Sequence, residues 1–428
     1  MAKQVELIFI SSSLVCSSSP ASFSKLELNS WDLRALKIVP IQRALIFPNP
    51  LAQPKQFLIQ ALKTSLSRAL HFFPPLAGRL TSTAHGGDMA SFLLDCNNAG
   101  ADFTHAVASA VSISDIIHPT YIPEIVSLLF PSSVAVTNYA GIAKPLLAVQ
   151  VTELADGIFI AFSANHAVVD GNSFWHFVKS WSEISRGAES ISKSPVFNLA
   201  AGDDTLIHLP TLEKNLVSPS QSPQRVFNFS REKLDRLKEK ANSEAGTDKI
   251  STLQALMAHL WRSTVRSQNT NGSSSCVLVI AIGARARMRS SPDAYFGNAS
   301  YAATLAISAS DLLEGGLGGA AVKINELISE QGDETARRAA EEEVRFDEVG
   351  RKGSGPPPLI IGSSPRHDVY GCDFGWGKPV GVRSGKVHKV EGLVFVFPAA
   401  EGGGIDLEVC LAEETLRAME IDAEFVTV

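Results

Sequence analysis

The sequence predicts an α/β fold in two domains, and three observations predict it. At 428 residues the chain exceeds what one hydrophobic core normally organises. Strand-like apolar runs and helix-periodic stretches occur in both halves. Between the halves, from about Ser190 to Pro223, Pro195, Pro210, Ser218, Pro219, Ser220, Ser222 and Pro223 are scattered among polar residues, as in a connecting segment. The chain is therefore divided into an N-terminal domain over 1–195, a crossover over 196–223 and a C-terminal domain over 224–428.

In order along the chain, the apolar stretch ending at Ile10 reads as a first strand, since Glu6 interrupts it and serines follow instead of a cleavage site. Phe57, Leu58, Ala61, Leu62, Leu66 and Leu70 recur at helical spacing from Pro54 to Leu70, and Pro74-Pro75 stop that helix. Leu146 to Leu154 and Ile158 to Asn165 read as two strands of a hairpin turning at Ala155-Asp156-Gly157. His166 then ends a strand, and Asn172 or Ser173 can cap the helix that runs through Phe174, Phe177, Val178 and Trp181. Beyond the crossover, Arg231 to Ala241 and Ser251 to Gln268 read as helices and Val277 to Ile282 as a buried strand. The run from Gly315 to Gly319 reads as a loop, and the charges from Arg337 to Glu343 as the solvated face of a helix. Gly353 to Pro358 reads as another loop. Val387 to Phe397 and Ile405 to Leu411 read as paired strands before a short helix from Glu413 to Met419.

Hydrophobic residues make up 45% of the chain and charged residues 19%, a balance that suits a packed interior and excludes a disordered scaffold. A net charge of −6 is the wrong sign for a general nucleic-acid binder, which must neutralise phosphates. Cys16, Cys96, Cys276, Cys372 and Cys410 are scattered without a CxxC pair, so neither a zinc site nor a redox couple is expected. No apolar run approaches the roughly 20 residues needed to cross a bilayer, and no lipidation motif occurs at either end; the expected compartment is the cytosol, with no membrane partner.

His166-Ala167-Val168-Val169-Asp170-Gly171 places a histidine at a strand-to-helix junction, where side chains project from a rigid scaffold into a cleft. An imidazole with its ordinary pKa near ~6.5 can take a proton from an attacking hydroxyl or amine at neutral pH. A partly buried histidine fixed by one hydrogen bond is the alternative for the same residue. Gly171 frees Asp170 from sharing a helical face with His166, so Asp170 is expected to be structural, fixing the turn by pairing with an arginine. Far downstream, Asp373-Phe374-Gly375-Trp376-Gly377 reads as a tight turn pinned by a large aromatic ring, its glycines permitting unusual backbone angles. Ser251-Thr252 opens a helix, where an N-cap and an anion site compete for the same residues.

The two motifs together, intact and in this order, resemble the BAHD acyl-CoA-dependent transferases of plants. Trp31-Asp32-Leu33, the run from Phe73 to Leu80, the run from Gly283 to Arg287, and Tyr295-Phe296-Gly297-Asn298 extend the resemblance along the whole chain. The wording from Asn165 to Phe177 and from Gly362 to Arg366 is similar to the branch that holds uncharacterised acetyltransferase-like members and a defence-related lyase. The resemblance implies a two-domain fold similar to chloramphenicol acetyltransferase, each domain a mixed sheet with flanking helices, with an active-site channel at their interface. It implies that His166 is the general base and that Asp170 pairs with Arg285. It further implies that the loop with Phe374, Gly375, Trp376 and Gly377 is architectural and that Asp373 is a second catalytic candidate. Ser251 and Thr252 would contact the phosphates of coenzyme A, and Ser363, Ser364 and Arg366 would lie toward the acceptor. The implied partners are an acyl-coenzyme A donor, as co-substrate and not as a resident cofactor, and a small-molecule acceptor; no metal is required, and the family is usually monomeric. A lyase or lactonising activity without an external acceptor, and a non-catalytic ligand-binding role, are the competing readings. Absence of a Gly-x-Ser-x-Gly elbow and of a Walker-type loop sets serine hydrolases and phosphate-loop enzymes aside.

Overall fold

A computed structural model describes residues 6–21, 23–49, 55–87, 89–132, 137–197, 207–208, 221–288, 292–341, 356–386 and 390–427. Two six-stranded mixed sheets carry the molecule. In the first, Gly157–Ala164 lies between Leu147–Leu154 and Ile41–Pro48, both antiparallel to it. Ala101–Ala108 runs parallel to Leu147–Leu154, and Ile8–Val15 forms the edge. The hairpin turn falls at Ala155-Asp156, as the Asp-Gly signal predicts. Leu147–Leu154 and Gly157–Ala164 are buried along nearly their whole length, which explains their continuous apolar run in place of alternation. The helices Lys55–Phe72 and Gly171–Ser185 pack together over this sheet, Trp181 donating its indole N–H to Ser65 Oγ at 3.0 Å.

In the second sheet, Ser275–Gly283 pairs antiparallel with Ser300–Ser308 and parallel with Leu359–Ile361. Leu359–Ile361 is in turn parallel to Leu393–Pro398, and Ile405–Cys410 and Gln224–Phe229 complete the order. The helices Arg231–Ala245, Thr252–Ser267 and Gly316–Ser329 bury Leu237, Leu256, Leu260, Trp261 and Ile324 in its core. A small third sheet joins Lys25–Glu27, Met89–Asp95 and Arg79–Ala84, with Ile207–His208 beside Met89 and Ala90.

The sheet membership does not follow a single cut of the chain. Gly381–Ser384, from the last quarter of the sequence, pairs antiparallel with Ile41–Pro48 and forms an edge of the first sheet. Val369, Cys372, Phe374 and Val382 join the first core with it. Of the expected crossover at 196–223, only residues 196–197, 207–208 and 221–223 are described; the loop expected at Gly353–Pro358, the strand at Val387–Phe397 and the charge cluster up to Glu343 likewise begin or end outside the described residues.

One expected loop is helix. Gly315 to Gly319 mostly opens the helix Gly316–Ser329: Gly316, at φ +70°, turns the chain into it from the preceding helix Ala309–Glu314, while Gly318 is needed for contact. A Cβ on Gly318 would stand 2.6 Å from Glu244 Cβ and 2.7 Å from the Ala245 nitrogen. Gly318 N–H instead donates to Glu244 Oε2 at 2.8 Å.

Candidate active site

His166 stands in a turn two residues beyond the strand Gly157–Ala164, between the two sheets. The turn is held by asparagines. His166 N–H donates to Asn138 Oδ1 at 2.7 Å, Asn165 Nδ2 donates to the Asn138 carbonyl at 2.7 Å, and Ala167 N–H donates to Asn165 Oδ1 at 2.9 Å. Asn138 Nδ2 in turn donates to the carbonyls of Ala35 and Ile38, both at 2.8 Å, anchoring the turn to the N-terminal segment.

The imidazole is fixed from the other half of the chain. Asn298 Nδ2 donates to Asp32 Oδ1 at 2.9 Å and to the His166 carbonyl at 2.7 Å. Both partners are acceptors, so the amide cannot be turned over, and its oxygen is the atom 3.2 Å from His166 Nδ1. Nδ1 must therefore carry the hydrogen and donate it. That leaves the lone pair on Nε2, which has no hydrogen-bond partner among the described residues. Burial lowers the His166 pKa below its ordinary value, against smaller opposing effects from its own backbone, Asp170 and Asn298, so the ring is neutral at pH 7. A buried, neutral imidazole with a fixed tautomer and a free Nε2 is built to accept a proton.

Asp170 turns away from the ring. Its carboxylate takes a two-pronged ion pair from Arg285, Nη1 to Oδ2 at 2.5 Å and Nη2 to Oδ1 at 3.1 Å, and further hydrogen bonds from Ser173 N–H and Ala299 N–H, each at 3.0 Å. Burial opposes its ionisation, but Arg285 and these hydrogen bonds outweigh burial and hold its pKa below the usual carboxylate value. Asp170, not Asn172 or Ser173, is the N-cap of Gly171–Ser185, and its carboxylate also suits the positive end of that helix. Arg285 is saturated as well, with Nη2 donating to Ser173 Oγ at 3.0 Å and to the Gly297 carbonyl at 2.8 Å, and Nε to the Tyr295 carbonyl at 3.2 Å. The pair thus clamps the His166 turn to the segment that carries Asn298. Removing either partner would leave a buried charge unpaired, at a cost of about 3–5 kcal/mol.

Residues 4–426 match the Transferase family. An uncharacterised acetyltransferase of Arabidopsis thaliana is 36% identical to the chain, covering 98% of it and 99% of the relative. The BAHD acyltransferase DCR of the same plant is 31% identical over 94% of the chain and 88% of its own length. The chain belongs to the BAHD acyltransferases. Among solved structures, F. graminearum TRI101 complexed with coenzyme A and deoxynivalenol is similar in fold, with a TM-score of 0.75 at 17% identity, covering 94% of this chain and 98% of that one.

Within this BAHD chain the other sequence-predicted residues separate into distinct places. Asp373 Oδ1 accepts hydrogen bonds from Gly375 N–H at 2.7 Å and Gly377 N–H at 3.0 Å, both glycines having positive φ. Its carboxylate closes its own loop, and no hydrogen bond links it to His166. Phe374 is buried edge-on to Trp181 at 4.9 Å, with Trp376 stacked at 5.8 Å. Arg186 Nη1 donates to the Asp373 carbonyl and Ser185 Oγ to that of Phe374 at 3.0 Å, tying the loop to the end of the Gly171–Ser185 helix. Ser251 caps the helix Thr252–Ser267 in a reciprocal box with Gln254. Ser363 Oγ donates to the Val396 carbonyl and accepts from Val396 N–H, both at 2.7 Å, so it serves the second sheet. Ser364 Oγ accepts from Arg366 N–H at 3.3 Å, and Arg366 is exposed.

Asn298 and Asp32 received no role from the sequence, although both lie in stretches singled out there. An asparagine acts here through geometry, which no local pattern of residues reveals. Asp32 is buried, and desolvation lifts its pKa to about 7 despite hydrogen bonds from the Asn298 side chain and from the backbone of Asn298 and Asn29.

Proposed function

We propose that the protein transfers an acyl group from acyl-coenzyme A to a hydroxyl or amine of a small specialised metabolite, with His166 as general base. The observation that carries this reading is the unpartnered Nε2 of a neutral imidazole whose Nδ1 is committed to Asn298. Nε2 takes the proton from the acceptor as its oxygen or nitrogen attacks the thioester carbonyl. The tetrahedral oxyanion then collapses, and the imidazolium returns the proton to the departing thiolate. Transfer is direct, without an acyl-enzyme. Membership of the BAHD acyltransferases supports this, and TRI101, similar in fold, was solved with coenzyme A and deoxynivalenol. Ser251 and Thr252 are assigned to the coenzyme A phosphates, since the N-terminus of a helix favours anions. The chain is taken to act as a cytosolic monomer.

The test is free-thiol release from a panel of acyl-coenzyme A donors with mixed acceptors, read with product mass spectrometry for the wild type and His166→Ala. Acceptor-dependent release should fall by about 10²- to 10⁴-fold in the variant while its thermal melt stays intact. No release with any donor would move the assignment to a lyase or lactonising reaction or to ligand binding without turnover. A stable acyl adduct on a cysteine would exclude direct transfer.

A further inference from the structure

Arg43 lies in the strand Ile41–Pro48, opposite Phe162 of the strand that leads to His166. It is only 6% exposed. Side chains alternate across that strand: Ile41, Leu45 and Phe47 join the core that includes Phe395 and Phe397, whereas Ala44 and Ile46 join another. Arg43 falls on the first of these faces and reaches across to the second sheet, where its guanidinium carbon sits 3.9 Å from the centre of the Phe395 ring. Its Nη1 donates to the Gln42 carbonyl at 2.6 Å. Nε and Nη2 have no acceptor among the described residues. Glu408 is the carboxylate that acts on Arg43 from a distance, but its oxygens are taken by the Ser384 hydroxyl and amide and by Gln224 Nε2.

His367 packs against Gly171, in the segment that follows His166. A Cβ on Gly171 would come within 3.3 Å of His367 Nε2, which places the ring over the start of the helix that follows His166. Neither ring nitrogen of His367 has a hydrogen-bond partner among the described residues. Burial drives its pKa down to about 4, so the ring is a neutral donor at pH 7; Arg43 depresses both this histidine and His166, so its charge is felt at both.

Resting on the acyl-transfer reading, we infer that Arg43 receives a carboxylate carried by one of the two substrates, with His367 as a further neutral hydrogen-bond donor. A guanidinium held against an aromatic ring, with two of its nitrogens unfilled in a desolvated site, matches the fork of a carboxylate better than any neutral group. A buried cation with no carboxylate in direct contact is costly, and a bound anion removes that cost. The carboxylate can come from an acidic acceptor, a hydroxy or amino acid, or from a dicarboxylic acyl group on coenzyme A.

The two sources are separated by paired probes. For the acceptor, 3-hydroxybenzoate is compared with its methyl ester using acetyl-coenzyme A. For the donor, malonyl-coenzyme A is compared with acetyl-coenzyme A using the ester. In one arm the wild type should favour the acid by about 10-fold or more in kcat/KM, and Arg43→Gln should remove most of that preference through KM. Arg43→Lys, which keeps the charge and loses the fork, should retain part of it. A purely structural Arg43 would lower acid and neutral partner alike, leaving the ratio unchanged, and that result overturns the inference. Calorimetric binding of the same acids and neutral partners to the wild type and Arg43→Gln separates this inference from the transfer reading. Acid-selective binding lost in the variant would sustain Arg43 as the anion site even if no thiol were released, and binding indifferent to the carboxylate or to Arg43 would overturn it.

Discussion

Asn298 shows how much of the chemistry is decided by a residue that does none of it. Its amide hydrogens are spent on Asp32 and the His166 carbonyl, so its oxygen can only accept from Nδ1, and the imidazole is left with one tautomer. Asn298→Ala should lower kcat by about 10²-fold with little change in KM, because it frees the ring to rotate and to change tautomer without touching substrate. Steady-state kinetics check this, and a loss confined to KM would contradict it. At this scale the sequence is partly legible. His166 at a strand end and Asp170 as a structural residue could be read from a strand, a turn and a glycine, and Asp170 does turn to Arg285. Asn298 and Arg43 were not legible as site residues. Each lies far along the chain from His166 or inside an ordinary strand, and only the folded chain brings them to it.

At the level of elements, turn chemistry and period read well, while glycine runs mislead. The Asp-Gly hairpin, the helix ending at the Phe72-Phe73-Pro74 stop and the Ser251 cap are all local events, so local residues report them. The Gly315 to Gly319 run is different, since Gly318 answers to a neighbouring helix that is more than seventy residues earlier in the chain. Two substitutions separate the meanings of adjacent glycines. Gly318→Ala should cost about 1–3 kcal/mol, because its Cβ would meet the end of the helix Arg231–Ala245. Gly319→Ala, with nothing within 4 Å of its Cβ, should stabilise by about 0.5–1 kcal/mol through helix propensity. Thermal or denaturant unfolding gives both values, and equal effects of the same sign would contradict the packing account. The loop from Asp373 to Gly377 also belongs to this scale. Its aspartate, glycines and rings act as one element that closes itself and locks onto Trp181.

Across the whole molecule, two mixed sheets meet at His166, and the meeting is covalently remote but densely bonded. Asp170 with Arg285, Ser173 with Gly297, and Asp32 and His166 with Asn298 all join the first half of the chain to the second. The two-sheet class was legible because both halves carry strand and helix patterns. The return of Gly381–Ser384 to the first sheet was not, since a four-residue edge strand has no periodicity long enough to declare its partner.

That architecture buries His166, the proposed base, and burial sets the pH at which it titrates. A histidine whose folded pKa lies below its ordinary value stays neutral above that value and loses its basic form only as pH falls through the depressed pKa. The measurement that tests this account most directly is kcat/KM for acceptor-dependent thiol release as a function of pH, compared between the wild type and His166→Gln. The account predicts a wild-type acid limb with its midpoint below about 6.5 and a variant whose residual rate lacks that limb. An acid limb centred above that value, or one that persists unchanged in His166→Gln, would show that His166 is not the base.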